Sequence, residues 1–176
     1  MPKNGAPLII LAAICLFPGE SHAAEARIDL SPTSPSTLAR APGPWMPTGL
    51  DPTTRRKLSA AFAEALLRLR RHASCRQLFE TFGTDGVEVL ARTFYYETSA
   101  RDEQLVCRRA SAFTSVGGRV TRVCRGFRRL PLNLAAVVLL HEALHNAGMT
   151  EKPRDPRALD SAQINQLVAM SCSLRS

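Results

Sequence analysis

The run Val137-Val138-Leu139-Leu140-His141-Glu142-Ala143-Leu144-His145-Asn146-Ala147-Gly148 constrains this chain more than any other stretch of it. Its first part is apolar on every side, which suits a central helix buried over most of its surface. Its second part sets two histidines four residues apart around a glutamate. On a helix, positions four apart lie about 40° apart around the axis and about 6 Å apart along it, so both imidazoles leave from one face. Two nitrogen donors on one face suit a tetrahedral zinc ion. Glu142, beside the first donor, is placed to take a proton from water. Gly148 follows His145 by three residues, ends the helix without strain and lets the chain turn back sharply towards the metal.

The N-terminus carries a second signal. Lys3 precedes an apolar stretch, Pro7–Phe17, which Pro18-Gly19 breaks before the small residues Ser21 and Ala23. This is the layout of a secretory signal peptide over residues 1–23. A membrane anchor is the competing reading, but roughly 11 apolar residues fall short of the ~20 a span requires. Residues 24–48 contain Pro32, Pro35, Pro42, Pro44 and Pro47 with little periodicity, and are expected to form a disordered or loosely docked leader. Residues 49–176 are then expected to form one domain, with no transmembrane segment expected in the mature chain. The protein is expected to be secreted or periplasmic.

Cysteine usage fits export. Removal of Cys15 with the signal leaves Cys75, Cys107, Cys124 and Cys172, an even number in a small exported chain. Three pairings are possible. We favour Cys107–Cys124, which flank one strand-turn-strand unit, and Cys75–Cys172, which would tie the start of the domain to its last helix. A four-thiolate zinc site competes, but no Cys-x-x-Cys spacing occurs.

The net charge of +8 is carried mostly by arginine. Arg68, Arg70 and Arg71 form one cluster, Arg108 and Arg109 a second, and Arg119 to Arg129 a third. Such a surface can recruit an anionic partner weakly, or serve simply as a solvated face. Aromatic residues are few and not interleaved with the arginines, which argues against single-strand nucleic-acid binding.

Periodicity predicts a helix from Pro52 to about His72, with Asp51 as cap and Leu58, Phe62, Ala65, Leu66 and Leu69 inward. His72 is expected at the helix end or surface. A short helical turn is expected over Gln77–Phe82, a strand over Val87–Tyr96 and a loop over Thr98–Asp102. Cys107–Ser115 and Arg119–Cys124 read as strands joined through Gly117-Gly118, with a bend needed if their cysteines are to pair. Leu132–Ala147 is the motif helix, and a last helix covers Asp160–Ser171. Helices before and after a small sheet give an α+β class, stapled by disulfides.

The extended pattern His141-Glu142-x-x-His145-x-x-Gly148-x-x-Glu151 resembles the motif of the metzincin clan of zinc endopeptidases. There the residue three after the glycine is the third ligand, His or Asp. The resemblance implies Glu151 in that role; another zincin layout takes a later carboxylate, which here would be Asp155 or Asp160. The stretch His141–Pro153 is also similar to small exported bacterial proteins with zinc-peptidase-like sequences, the likeness running roughly from Cys107 to Cys172. It implies a small zincin-like domain with Zn2+ as cofactor and a peptide or protein as substrate. Two histidines and a carboxylate leave a fourth position for water, whose pKa falls towards ~7. Glu142 would accept its proton as it attacks an amide carbonyl and pass that proton to the leaving nitrogen. Tyr95 or Tyr96 could add a donor, but packing is the simpler role for both. The clan's methionine turn would fall near Val168–Cys172, where the preceding residues read as helix, so Met170 is expected in the core. Two rival readings remain: a catalytically inactive zincin-like protein that binds metal for scavenging or stability, and a basic module for anionic ligands.

Overall fold

A computed structural model describes residues 43–173. The expected signal peptide and residues 24–42 of the leader lie outside the described residues. The first helix, α1, spans Pro52–Arg71. It begins there because Asp51 Oδ1 accepts the Thr53 and Thr54 amide hydrogens at 3.0 Å, with Pro52 supplying a pre-set first turn. Its predicted stripe is buried throughout, joined by Ala61. Arg68 is buried as well, against the expectation of a solvated basic end. Its Nε donates to Glu64 at 2.9 Å, one turn back, which neutralises the charge where the helix packs.

Three corrections follow along the chain. The turn expected at 77–82 is a full helix, α2, over Ala73–Glu80. The strand expected over Val87–Tyr96 is mostly helix: α3 covers Gly86–Arg92, and β1 is confined to Phe94–Glu97. Asp85 caps α3 by accepting the Val87 amide hydrogen at 2.7 Å. A Cβ on Gly86 would lie 2.7 Å from Leu69 and Phe79 side chains, so glycine is what lets this helix approach α1 and α2. The loop expected at Thr98–Asp102 contains the start of α4, Ala100–Leu105, capped by the Ser99 hydroxyl.

The sheet has three strands. β2 is Ala112–Thr114 and β3 is Val120–Val123; the order is β1-β3-β2, with β1 parallel and β2 antiparallel to β3. Gly117 (φ +71°) lies in the predicted hairpin between β2 and β3. Residues 43–48, the end of the proline-rich stretch, run beside β1: Tyr95 donates its amide hydrogen to the Trp45 carbonyl, and the Trp45 ring meets Phe94 edge-on.

A five-residue 3-10 helix, Arg125–Arg129, leads into α5, Leu132–Asn146. α5 packs chiefly on α1, and also on α3, β2 and α6, which covers Ser161–Ser171. Leu139, Leu140 and Leu144 are completely or almost completely buried, each contributing roughly 1.5–3 kcal/mol by leaving water. Gly148 (φ +112°) closes α5, and its amide donates to the His145 carbonyl. α6 starts with a reciprocal capping box between Asp160 and Gln163. Met170 is exposed on α6, so it packs neither in the core nor beneath the histidines.

Both expected disulfides form. Cys75–Cys172 joins α2 to the end of α6, and Cys107–Cys124 joins the turn after α4 to the end of β3. The bend this second bond required is the stretch 107–111, which returns Ser111 to accept the Cys124 amide hydrogen. The class is α+β, with six α-helices and a three-stranded sheet among the described residues. No described helix is long and apolar enough to cross a membrane.

Candidate metal centre

α5 carries His141, Glu142 and His145 into the interior at 4 %, 6 % and 6 % exposure. The two imidazoles stack edge to face with their Nε2 atoms 2.9 Å apart. After Gly148 the chain turns back, and Glu151 Oε2 comes to 3.4 Å from each Nε2. His141, His145 and Glu151 therefore meet at one point, and together they can hold a metal ion. Asp155 and Asp160 are engaged elsewhere. Asp155 accepts from the Thr150 hydroxyl and the Arg157 amide, and Asp160 caps α6.

The far side of each ring sets what its near side can offer. His145 Nδ1 lies 2.8 Å from the Met149 carbonyl, which can only accept, so that nitrogen carries the proton. His141 Nδ1 lies 2.9 Å from the Asn165 amide oxygen and donates in the same way. Neutral rings protonated at Nδ1 leave lone pairs on both Nε2 atoms. With both rings in this neutral form, two lone pairs and a carboxylate oxygen converge with no hydrogen to share. Glu151 Oε2 is buried and accepts no hydrogen bond among the described residues. Such a group is costly unless a cation lies among the acceptors. Donors about 2.0–2.1 Å from a tetrahedral ion lie about 3.3 Å apart. The two edges to Glu151 match this spacing, and the histidine pair is somewhat closer.

The surroundings set the protonation of each group. Burial holds the His141 imidazole below its usual range, opposed by the bond to Asn165. Burial pushes Glu142 from 4.5 up to about 8; the Thr114 hydroxyl opposes the rise and the nearby Glu151 charge adds to it. Thr114 itself shares a 2.8 Å hydrogen bond with Thr121 on β3, which fixes the hydroxyl beside Glu142. Glu142 Oε2 has no hydrogen-bond partner among the described residues. Two clefts adjoin the group. One, about 120 Å³, is lined by His141, Glu142, Ser111 and Asn165; the other, about 160 Å³, by Thr114, His145 and Glu151.

Tyr95 belongs to the core, edge-on to Phe62, and burial pushes its phenol above the usual range. Tyr96 stands against Trp45. His72 caps the end of α1, as expected of a helix-end residue. Glu103 lies near Cys107 and Cys124, but those sulfurs are spent on their disulfide and Glu103 takes the Thr98 hydroxyl and Arg125 amide. Three contributors escaped the sequence analysis: Asn165, the Met149 carbonyl and Thr114. Asn165 left a faint trace, a polar side chain beside inward-facing Ile164 and Val168; a backbone carbonyl leaves none.

Comparison with protein-family models, curated proteins and solved structures finds no match to this chain.

Proposed function

We propose that this chain is an exported zinc-dependent peptidase of the zincin type, with His141, His145 and Glu151 as ligands and Glu142 as general base. The observation that carries the proposal is the convergence of two Nε2 nitrogens and a carboxylate oxygen beside a buried glutamate oxygen that has no hydrogen-bond partner among the described residues. When bound, the ion supplies a Lewis acid for a carbonyl oxygen, acidifies water and favours the ionised form of Glu142 by its charge. Asn165 and the Met149 carbonyl orient the two rings, so that their lone pairs point inward with little freedom lost on binding. Glu142 Oε2 accepts a proton from the water that attacks the amide carbon. The same oxygen then gives that proton to the departing nitrogen, leaving a carboxylic acid and an amine. Thr114 keeps the glutamate in place throughout.

The choice of zinc rests on the donor set, two imidazoles and one carboxylate, which leaves a coordination position free. The test uses the purified mature protein. One zinc per chain is expected in the parent and in Glu142→Gln, with peptide cleavage abolished in the variant and both lost in His145→Ala. A Glu142→Gln protein that cleaves as fast as the parent overturns the mechanism. One feature favours the inactive alternative: Glu151 sits on the segment between α5 and α6, so an ion would also staple that segment to α5. Full metal content without cleavage of a broad peptide library would decide for that reading.

A further inference from the structure

The clefts beside the metal group are walled by cations that no carboxylate among the described residues pairs with. Arg109 lines the cleft on the Glu142 side. Lys152 and Arg154 line the second cleft, beside His145 and Glu151. Arg119 and Arg122 line a third hollow that shares Thr114 with the second. Among the described residues, the acids on these three walls are Glu142 and Glu151, both part of the centre itself. None of the five cations lies within salt-bridge distance of a described carboxylate; the described Lys and Arg side chains that do are Arg68, Arg92 and Arg128, all elsewhere. They come from three separate places: the turn after α4, β3 with the residue before it, and the segment that follows α5. Their meeting around one site is a product of the fold, not of a basic run in the sequence.

We infer that the preferred substrate is an acidic peptide, with Asp or Glu on both sides of the bond to be cleaved; this inference rests on the peptidase reading above. A substrate carboxylate on the Glu142 side meets Arg109, and one on the other side meets Lys152 and Arg154. Guanidinium groups bind carboxylates with two parallel hydrogen bonds, which gives geometric preference as well as attraction. The clefts, about 120 and 160 Å³, have room for such side chains. Cations at the mouths of concave clefts focus the field there, and the net charge of +8 draws polyanions from a distance. Nucleic acid fits less well. Among the residues lining these three walls Phe113 is the sole aromatic, and a strand would need a series of stacking faces.

The test compares three short fluorescein-labelled peptides with Glu, Gln or Lys on both sides of a central Ala-Leu bond. Binding to zinc-loaded Glu142→Gln protein is read by anisotropy, and kcat/KM is read with the parent. The Glu peptide should bind about tenfold more tightly than the Gln peptide at low salt, with the advantage shrinking as salt is added. Arg109→Glu/Arg154→Glu should erase that preference while keeping zinc content; both side chains are exposed, and Arg109→Gln/Arg154→Gln serves if the reversal fails to fold. Equal binding of the Glu and Gln peptides overturns the inference, as does a preference that survives the double variant. Duplex DNA displacing the Glu peptide at equal charge concentration overturns it too. The two readings separate cleanly: a binding preference with no cleavage of any peptide sinks the peptidase and upholds the acidic ligand. Equal cleavage of all three does the reverse.

Discussion

Consider Glu142→Gln in the zinc-free protein. Burial is the main reason that Glu142 rises from 4.5 to about 8, helped by the Glu151 charge against the Thr114 hydrogen bond. Between those values the folded protein keeps a proton that the unfolded chain releases. Stability therefore falls as pH rises, because the unfolded state binds fewer protons. The contribution is intact below about pH 4.5 and gone once pH passes about 8. The full effect is about 5 kcal/mol, of which about 3 kcal/mol has been lost by pH 7. His141 acts in the opposite sense: burial lowers its pKa, so stability rises with pH through the usual imidazole range. The parent's profile blends both, and Gln at position 142 removes the first while leaving the second. Urea unfolding in EDTA at pH 5 to 8, disulfides intact, measures the difference. The advantage of Glu142→Gln over the parent should grow by about 2–3 kcal/mol between pH 5 and pH 7. Zinc should shrink that growth, since a nearby cation favours the ionised carboxylate. Parallel curves for parent and variant in EDTA would refute the claim that this carboxylate is ionised at a cost.

Two further predictions concern the scaffold. The Cys75–Cys172 bond closes a separation of 97 residues and Cys107–Cys124 one of 17. Loop entropy assigns them about 5 and about 3 kcal/mol, so the Cys75→Ala/Cys172→Ala protein should unfold at lower urea than Cys107→Ala/Cys124→Ala; the reverse order contradicts the estimate. Asn165→Ala releases the His141 ring and should weaken zinc binding about 10–100-fold in a chelator competition titration. Unchanged affinity would mean that α6 has no part in orienting the ligand.

Much of the fold could be read from local patterns. The stripe of α1, the caps Asp51 and Asp160 and the Gly148 stop act within a turn or two of their own position, so a one-dimensional pattern carries them. Residues 87–92 mislead for the same reason. Val87 and Val89 alternate as in a strand, yet the Asp85 cap and the close seat of Gly86 against Leu69 and Phe79 select a helix. Tertiary packing overrides a weak local preference. The cap at α4 has a local signature as well, Ser99 three residues before Asp102, whose amide hydrogen the Ser99 hydroxyl accepts.

The centre divides along the same line. Spacing alone placed His141 and His145 on one helical face with Glu142 next to the first of them, because helix geometry is a property of the backbone. The approach of Glu151, the Asn165 bond across from α6 and the cations gathered around the clefts depend on segments that meet only after folding. Burial is likewise a property of the packed whole, and it shifts Glu142 far from an ordinary carboxylate. A sequence names the chemical groups; their distances and their shielding from water, which govern proton and metal affinity, arise from contacts between residues far apart in the chain.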